Sequence, residues 1–521
     1  MKTLRSLLTK QNYLALMVAI ILIQPLLDID HLVYPYLNQF NLPLPSTLVY
    51  LLGYPVVVLL AFLINENKKK RTLIFGLIYL SIVGIYFLAH HYVTKDLFEF
   101  LYLPTTYIYS MSDELKYILS LIFPLGLVYA FYKAEFNQKV FDRIILISSM
   151  SISLPLFVFN MLAIGPSTYY AGNTLANFPT WFFGVYDTYN PKMLATKFYF
   201  SEGNTTGIIL FSLYPLLINL LIKAKHKWPI FLMVAIQGIA MYVLATRVAT
   251  YGVSLMLGLV LIMWLFLVVL RKSKFQLMNV VMLGSLLLFF YFTLPLTPAV
   301  KNLEIDNRND LTVSQNDNKL TEWKGTINDE GLVPGSAEFN YYYQHIFEDY
   351  YWLLTISNEY YKYYYPYVMD AKFYVDLIFE VDFYDRLSGR QFEQIFFDYK
   401  WNKLDSTQKL FGFGYTRFMN GSILLEKDFE MQKYTLGYLG MVILTFPWLI
   451  LVALLGLKAL YRFKYILDLD VLIPAVSIAS ILGGAYLSGH VLDQYFSSTF
   501  LAFYVGYLFF KLKRLSQPSN E

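Results

Sequence analysis

Apolar runs of about 20 residues recur along this chain, and a run that long has one low-energy setting: a helix that satisfies its own backbone hydrogen bonds while crossing a bilayer. Twelve such runs fall at roughly 12–28, 46–64, 72–91, 115–132, 144–164, 205–222, 228–245, 251–270, 276–295, 435–457, 467–488 and 494–511. The 521 residues are 57% hydrophobic and only 15% charged, more apolar surface than a globule in water can bury. The pattern predicts an all-α polytopic membrane protein with about twelve transmembrane helices.

Twelve spans place both termini on one side, and the connections on that side are short and basic. They carry Arg5 and Lys10, then Lys68 to Arg71, Lys139 and Arg143, Lys223, Lys225 and Lys227, Arg271, Lys272 and Lys274, Lys458, Arg462 and Lys464, and Lys511, Lys513 and Arg514. Short basic loops stay in the cytoplasm, so both termini of this multi-pass chain are expected there, with the first run acting as an uncleaved signal anchor. The opposite side is expected to hold connections near 92–114 and 165–204 and one large segment from Thr297 to Lys433. This gives spans one to nine over 1–296, a large, mainly helical extracellular loop domain over 297–433, and spans ten to twelve with a cytoplasmic tail over 434–521. In the loop domain acidic residues outnumber basic ones, and its start, Asp306 to Pro334, is rich in Asn, Asp and Gly and reads as a loop.

Composition also excludes partners. The net charge of +4 is small and scattered over short loops, so no nucleic acid is expected to bind. The absence of cysteine removes disulfides, thiolate metal sites and cysteine nucleophiles. No histidine pair has metal-ligand spacing with carboxylates, so neither a metal nor another cofactor is expected.

The residues able to carry chemistry lie at or beyond the outer ends of the spans. Arg247 occupies a very tight turn between the seventh and eighth runs, where a guanidinium either meets an anionic lipid head group or snorkels to anchor a helix end. Arg386, Arg390 and Arg417 lie within one stretch, the first two just before an expected amphipathic helix from Gln391 to Trp401. Such arginines clamp a diphosphate, or else pair with Asp382, Asp385 and Glu393 at the surface. Glu426 and Asp428 close the loop domain just before the tenth span, as a general base or as a solvated linker. His490, with Asp493 nearby, is a second base, a phosphate ligand or a polar helix end. Between Asn340 and Tyr367 an aromatic stretch that includes Tyr350, Tyr351, Trp352 and Tyr360 offers faces for pyranose rings, or an interfacial belt.

The order of several short stretches resembles the superfamily of bacterial O-antigen ligases and O-antigen polymerases. These are Glu202 to Gly207, Thr246-Arg247, Ser388-Gly389-Arg390, Leu410 to Gly414, and Gly437-Tyr438-Leu439-Gly440. The resemblance implies a GT-C type fold in the bacterial plasma membrane and metal-independent, inverting transfer of a glycan from an undecaprenyl-diphosphate carrier. It makes Arg247 and Arg390 the residues that meet the diphosphate, and implies a flippase and a chain-length regulator as partners. Ligases of the family carry His-x-Asn about eleven residues before the Gly-x-x-Gly pair, a place held here by Glu426-Lys427-Asp428. That substitution favours a polymerase of capsule, exopolysaccharide or O-antigen repeat units over a ligase, with Glu426 as base by position. The rival class, a flippase or transporter of lipid-linked oligosaccharide, predicts charges deep in several spans and an internal repeat; few such charges and no repeat are found.

Overall fold

The computed structural model describes residues 9–515 apart from 41, 65–68, 98–100, 102, 170–171, 355, 383–388 and 462. Helices dominate, and among these residues no strand forms beyond an isolated bridge between Pro166 and Asn173. Nine long helices come first, α1 (Lys10–Leu27), α2 (Pro45–Ile64), α3 (Lys69–Thr94), α4 (Met111–Ala134), α5 (Gln138–Met161), α6 (Gly203–Lys223), α7 (Lys227–Leu244), α8 (Arg247–Val269) and α9 (Leu277–Thr293), with a ten-residue helix, Asp30–Gln39, between α1 and α2. After them come α10 (Pro298–Lys324), α11 (Ala337–Tyr350), α12 (Ala371–Phe379), α13 (Gly389–Asn402), α14 (Ser406–Phe411) and α15 (Tyr415–Asn420), and then α16 (Asp428–Leu460), α17 (Leu469–Leu487) and α18 (Tyr495–Arg514).

Among the described residues eleven helices, α1 to α9, α16 and α17, are long and apolar enough to cross a membrane. They take up the first eleven expected runs. The twelfth run forms α18, a helix of 20 residues whose Ser497, Ser498, Thr499 and terminal Lys511, Lys513 and Arg514 make it less apolar. Its polar residues are tolerated because most of its length, including those three hydroxyls, is buried in protein.

One expectation is corrected. The Asn- and Asp-rich stretch from Asp306 is not a loop throughout, because α10 runs on through it to Lys324. No glycine or proline lies between Ala299 and Lys324, so nothing breaks the helix until Gly325, after which turns lead to Ser336.

The chain divides into two compact units, one made of 1–79, 119–302 and 446–521, the other of 80–118 and 303–445. In the first, α6 is the centre: 94% of its span is buried, against α5, α7, α8 and α17. Small residues allow this close approach, as membrane helices require where lipid supplies no hydrophobic drive between them. A Cβ on Gly207 would sit 2.5 Å from Thr246 Oγ1, and one on Gly252 2.4 Å from the Phe211 ring. By contrast α2 presents Leu52, Val56, Leu59 and Leu63 outward, the face that lipid solvates.

The second unit has an aromatic core. Phe373, Phe392, Phe396, Phe397, Phe413 and Phe418 are buried and meet mostly edge-on or tilted, with ring centroids 4.7–6.2 Å apart, a geometry in which the positive edge of one ring meets the negative face of the next.

Candidate functional site

Helix α13 sets the position of Arg390. Phe392, Phe396, Phe397 and Trp401 recur on one face and bury it in the aromatic core, so the first turn, with Arg390 as its second residue, stays at the surface. A 14-residue helix presents unsatisfied N–H groups and a partial positive charge at this end, which adds to the guanidinium. Arg390 Nε donates to Glu426 Oε2 at 2.6 Å, and its Nη2 bonds the same oxygen. Glu426 is held in reach by the buried Ile423 and Leu425 before it and by Lys427, whose N–H donates to Leu425 O at 2.8 Å. The pair is half-exposed, Arg390 at 43% and Glu426 at 35%. Asp428 is buried in the first turn of α16, where a carboxylate favours the helix dipole. Glu393, which the sequence offered as a partner for arginine, instead accepts from Tyr360 at 2.7 Å.

The glycine-rich stretches form one junction inside the second unit. Gly412, at φ 78° and ψ −168°, lies in a region that essentially only glycine occupies. A Cβ there would fall 2.5 Å from Gly437 N and from Tyr434 O. Gly437, at φ 70°, interrupts α16 and lets it close onto Leu410. Phe413 N donates to Tyr434 O at 2.9 Å and Gly414 N to Thr435 O at 2.8 Å, which sews the two segments together.

Below this junction lies a buried pair that sequence reasoning missed, His90 and Glu114. The Glu114 carboxylate accepts from the amides of Tyr415 and Thr416 and from Thr416 Oγ1, each at 3.0 Å, and lies 2.9 Å from His90 Nε2. His90 Nδ1 lies 2.7 Å from Phe411 O. The available signal was an ionisable residue inside one apolar run and another just before the next, which is costly in a buried helix unless paired.

Arg417 does not reach the surface. It is 1% exposed, and its guanidinium donates to the carbonyls of Thr94 at 2.9 Å and of Lys95 and Tyr107 at 3.4 Å. Burial brings its pKa down to about 10. Its role as a diphosphate contact therefore gives way to bracing an irregular backbone segment, whose carbonyls need donors. Arg386 lies outside the described residues.

The aromatic stretch splits between core and surface. Tyr343, Tyr361, Tyr365 and Tyr374 are buried. Tyr350 lies 5.3 Å from Trp323, which meets Trp352 edge-on at 6.0 Å, while Tyr351 and Trp352 are exposed. Tyr360 is half-buried and packs on Phe392 at 4.9 Å.

The remaining candidates belong to the first unit. Helix α7 stops at Leu244, Ala245 takes a left-handed conformation (φ 60°), and Thr246 caps α8, so Arg247 opens that helix in an exposed position. Tyr169 donates to Ala245 O at 2.6 Å and Thr168 to Leu244 O at 2.9 Å, so the 165–200 connection braces the turn. Beside it begins α6, with Glu202 as its N-cap residue. Thr205 Oγ1 lies 3.0 Å from both Glu202 Oε2 and His490 O, and Gln494 Nε2 donates to Glu202 Oε1 at 3.4 Å. His490 has a positive φ of 53° and places Nδ1 3.3 Å from Asp493 Oδ2. Nearby Asp28 accepts from the Ser201 N–H and hydroxyl.

An all-helical chain with eleven helices, among the described residues, long and apolar enough to cross a bilayer is a polytopic membrane protein. The sequence model of the O-antigen ligase like membrane protein family matches residues 10–515, and the chain belongs to that family. No curated protein and no solved structure matches it significantly.

Proposed function

We propose that the chain is a glycosyltransferase of the bacterial plasma membrane that polymerises oligosaccharide repeat units carried on undecaprenyl diphosphate. The half-exposed Arg390–Glu426 pair at the start of α13 carries this reading. A diphosphate is a better bidentate ligand for Arg390 than one carboxylate oxygen, and it also gains from the helix N-terminus. As the guanidinium turns to the phosphate, Glu426 is released to act on an acceptor hydroxyl. The hydroxyl oxygen then attacks the anomeric carbon, the bond from that carbon to the diphosphate oxygen breaks, and the hydroxyl proton passes to Glu426. The diphosphate leaves with its charge neutralised by Arg390, and inversion follows from attack opposite the leaving group.

We also propose Arg247, in the first unit, as a diphosphate contact, and His490, oriented by Asp493, as a base or phosphate ligand. Asp428 orients the Glu426 segment, and Tyr350, Tyr351, Trp352 and Tyr360 supply ring faces to the glycan. The basic loops place both termini in the cytoplasm, with 297–433 outside. A ligase remains the second reading, favoured by the description of the family. Incubation of the purified chain with one defined undecaprenyl-diphosphate oligosaccharide, in EDTA, distinguishes them. A ladder of multiples supports polymerisation, whereas transfer only after another acceptor is added supports ligation and refutes it.

A further inference from the structure

At the basic end of the first unit a cavity of about 330 Å³ opens between the α8–α9 connection and the turn before α17. That volume suits a small ligand or a lipid head group. Its wall includes Trp264 and Asn279, both fully buried, and among the described residues Trp264 Nε1 and Asn279 Oδ1 have no hydrogen-bond partner. Buried polar atoms are nearly always paired, so a donor and an acceptor left together in one wall point to something that completes them. The cavity is also lined by Lys223, Lys272 and Lys274, against Asp468. Lys223 is engaged by Asp470, which leaves the exposed Lys272 and Lys274 as the cations a ligand meets. Helices α9 and α17 begin at the rim, α9 without a side-chain cap, and α6 and α8 end there. Opposed helix ends cancel much of each other's field, so the lysines set the sign of the site.

We infer that this cavity binds a phosphate ester carrying a hydroxyl. The phosphate lies between Lys272 and Lys274, one of its oxygens accepts the Trp264 indole N–H, and the ester's hydroxyl donates to Asn279 Oδ1. The glycerophosphate head group of an anionic lipid and a soluble polyol phosphate share this chemistry.

The test uses the full chain in nanodiscs of phosphatidylcholine doped with phosphatidylglycerol, released into a native mass spectrometer. Wild type is expected to retain phosphatidylglycerol in preference to phosphatidylcholine. The double substitution Lys272→Gln/Lys274→Gln should lower that retention by on the order of tenfold, whereas Lys225→Gln, in a neighbouring basic loop, should leave it unchanged. Trp264→Phe keeps a ring but removes the N–H, and should lower retention with both lysines intact, which decides the matter should the double variant not fold. Glycerol 1-phosphate titrated into detergent-solubilised protein separates the sources, since binding that depends on Lys272 and Lys274 without phosphatidylglycerol preference assigns the site to a soluble ester. No preference for phosphatidylglycerol together with no binding of glycerol phosphate overturns the inference, as does a preference that survives both the double substitution and Trp264→Phe.

Discussion

Exchanging the charges of Arg390 and Glu426 separates a catalytic pair from a surface ion pair. The two side chains are 43% and 35% exposed, and an ion pair this wet contributes at most about 1 kcal/mol to stability. Arg390→Ala, Glu426→Gln and the swap Arg390→Glu/Glu426→Arg should therefore each shift the unfolding temperature by no more than about 4 °C. Activity should respond very differently. Removing a positioned general base costs roughly 10²–10⁴-fold in rate, about 3–5 kcal/mol of barrier, and removing a preorganised donor on a developing negative charge costs roughly 10²–10³-fold. The swap restores the ion pair but puts a carboxylate at the start of α13 where the leaving diphosphate needs a cation, so it should be as inactive as the single variants. The assay is ladder formation from a defined lipid-linked oligosaccharide, with the melting temperature of every variant recorded alongside. A swap variant that recovers turnover, or single variants that keep more than about a tenth of it, would refute the assignment and leave a surface ion pair.

Other perturbations probe the scaffold. Gly412→Ala drives a Cβ into Gly437 N, Tyr434 O and Thr435 O at 2.5–2.6 Å, and should destabilise by about 3 kcal/mol or more through backbone strain and two lost hydrogen bonds. Gly331→Ala has a similar positive φ but meets open space, so thermal melts of the two variants isolate the steric part. Glu114→Gln should cost about 3–5 kcal/mol, as for a broken buried pair, and hydrogen exchange at the Tyr415 and Thr416 amides should accelerate at least about tenfold; unchanged exchange would mean that Glu114 does not hold this loop. Lys400 is fully buried, 2.6 Å from Tyr365 Oη and 2.8 Å from Leu101 O, and burial brings its pKa down to about 7. The unfolded chain then binds more protons than the folded one between about pH 7 and pH 10.5, so this lysine opposes folding fully below pH 7 and progressively less above it. Wild type should gain stability relative to Lys400→Met as pH rises from 7 to 9, and parallel melting curves would contradict that.

The spans were legible because lipid imposes one simple requirement, about 20 apolar residues, that no local detail overrides. Helix α13 was legible too, since Phe392, Phe396, Phe397 and Trp401 write its buried face directly into the spacing. What the spacing cannot show is which distant residues meet. Glu393 lay three positions from Arg390 and was offered as its partner, whereas Glu426 was not, yet the fold turns the first to Tyr360 and brings the second, 36 positions away, to Arg390. The His90–Glu114 pair escaped notice for the same reason: one lies near the end of one apolar run and the other just before the start of the next, and the meaning of each lies in the other.

Arg390 and Arg417 show how far such reasoning reaches. Both are arginines in the same glycine-punctuated region, and both carry the donor fork that suits a diphosphate. Their fates differ because of what surrounds them. Arg417 is buried beside the end of α3 and the segment that follows it, where its guanidinium donates to the carbonyls of Thr94, Lys95 and Tyr107, and a buried fork that meets three carbonyls is committed to them. Among the described residues Arg390 pairs with one half-exposed carboxylate, a contact that a better anion can displace at little cost in stability. For this chain a reactive charge is thus marked by a partner it can give up, and by that criterion Arg390, not Arg417, is the arginine whose loss should abolish transfer while leaving the fold intact.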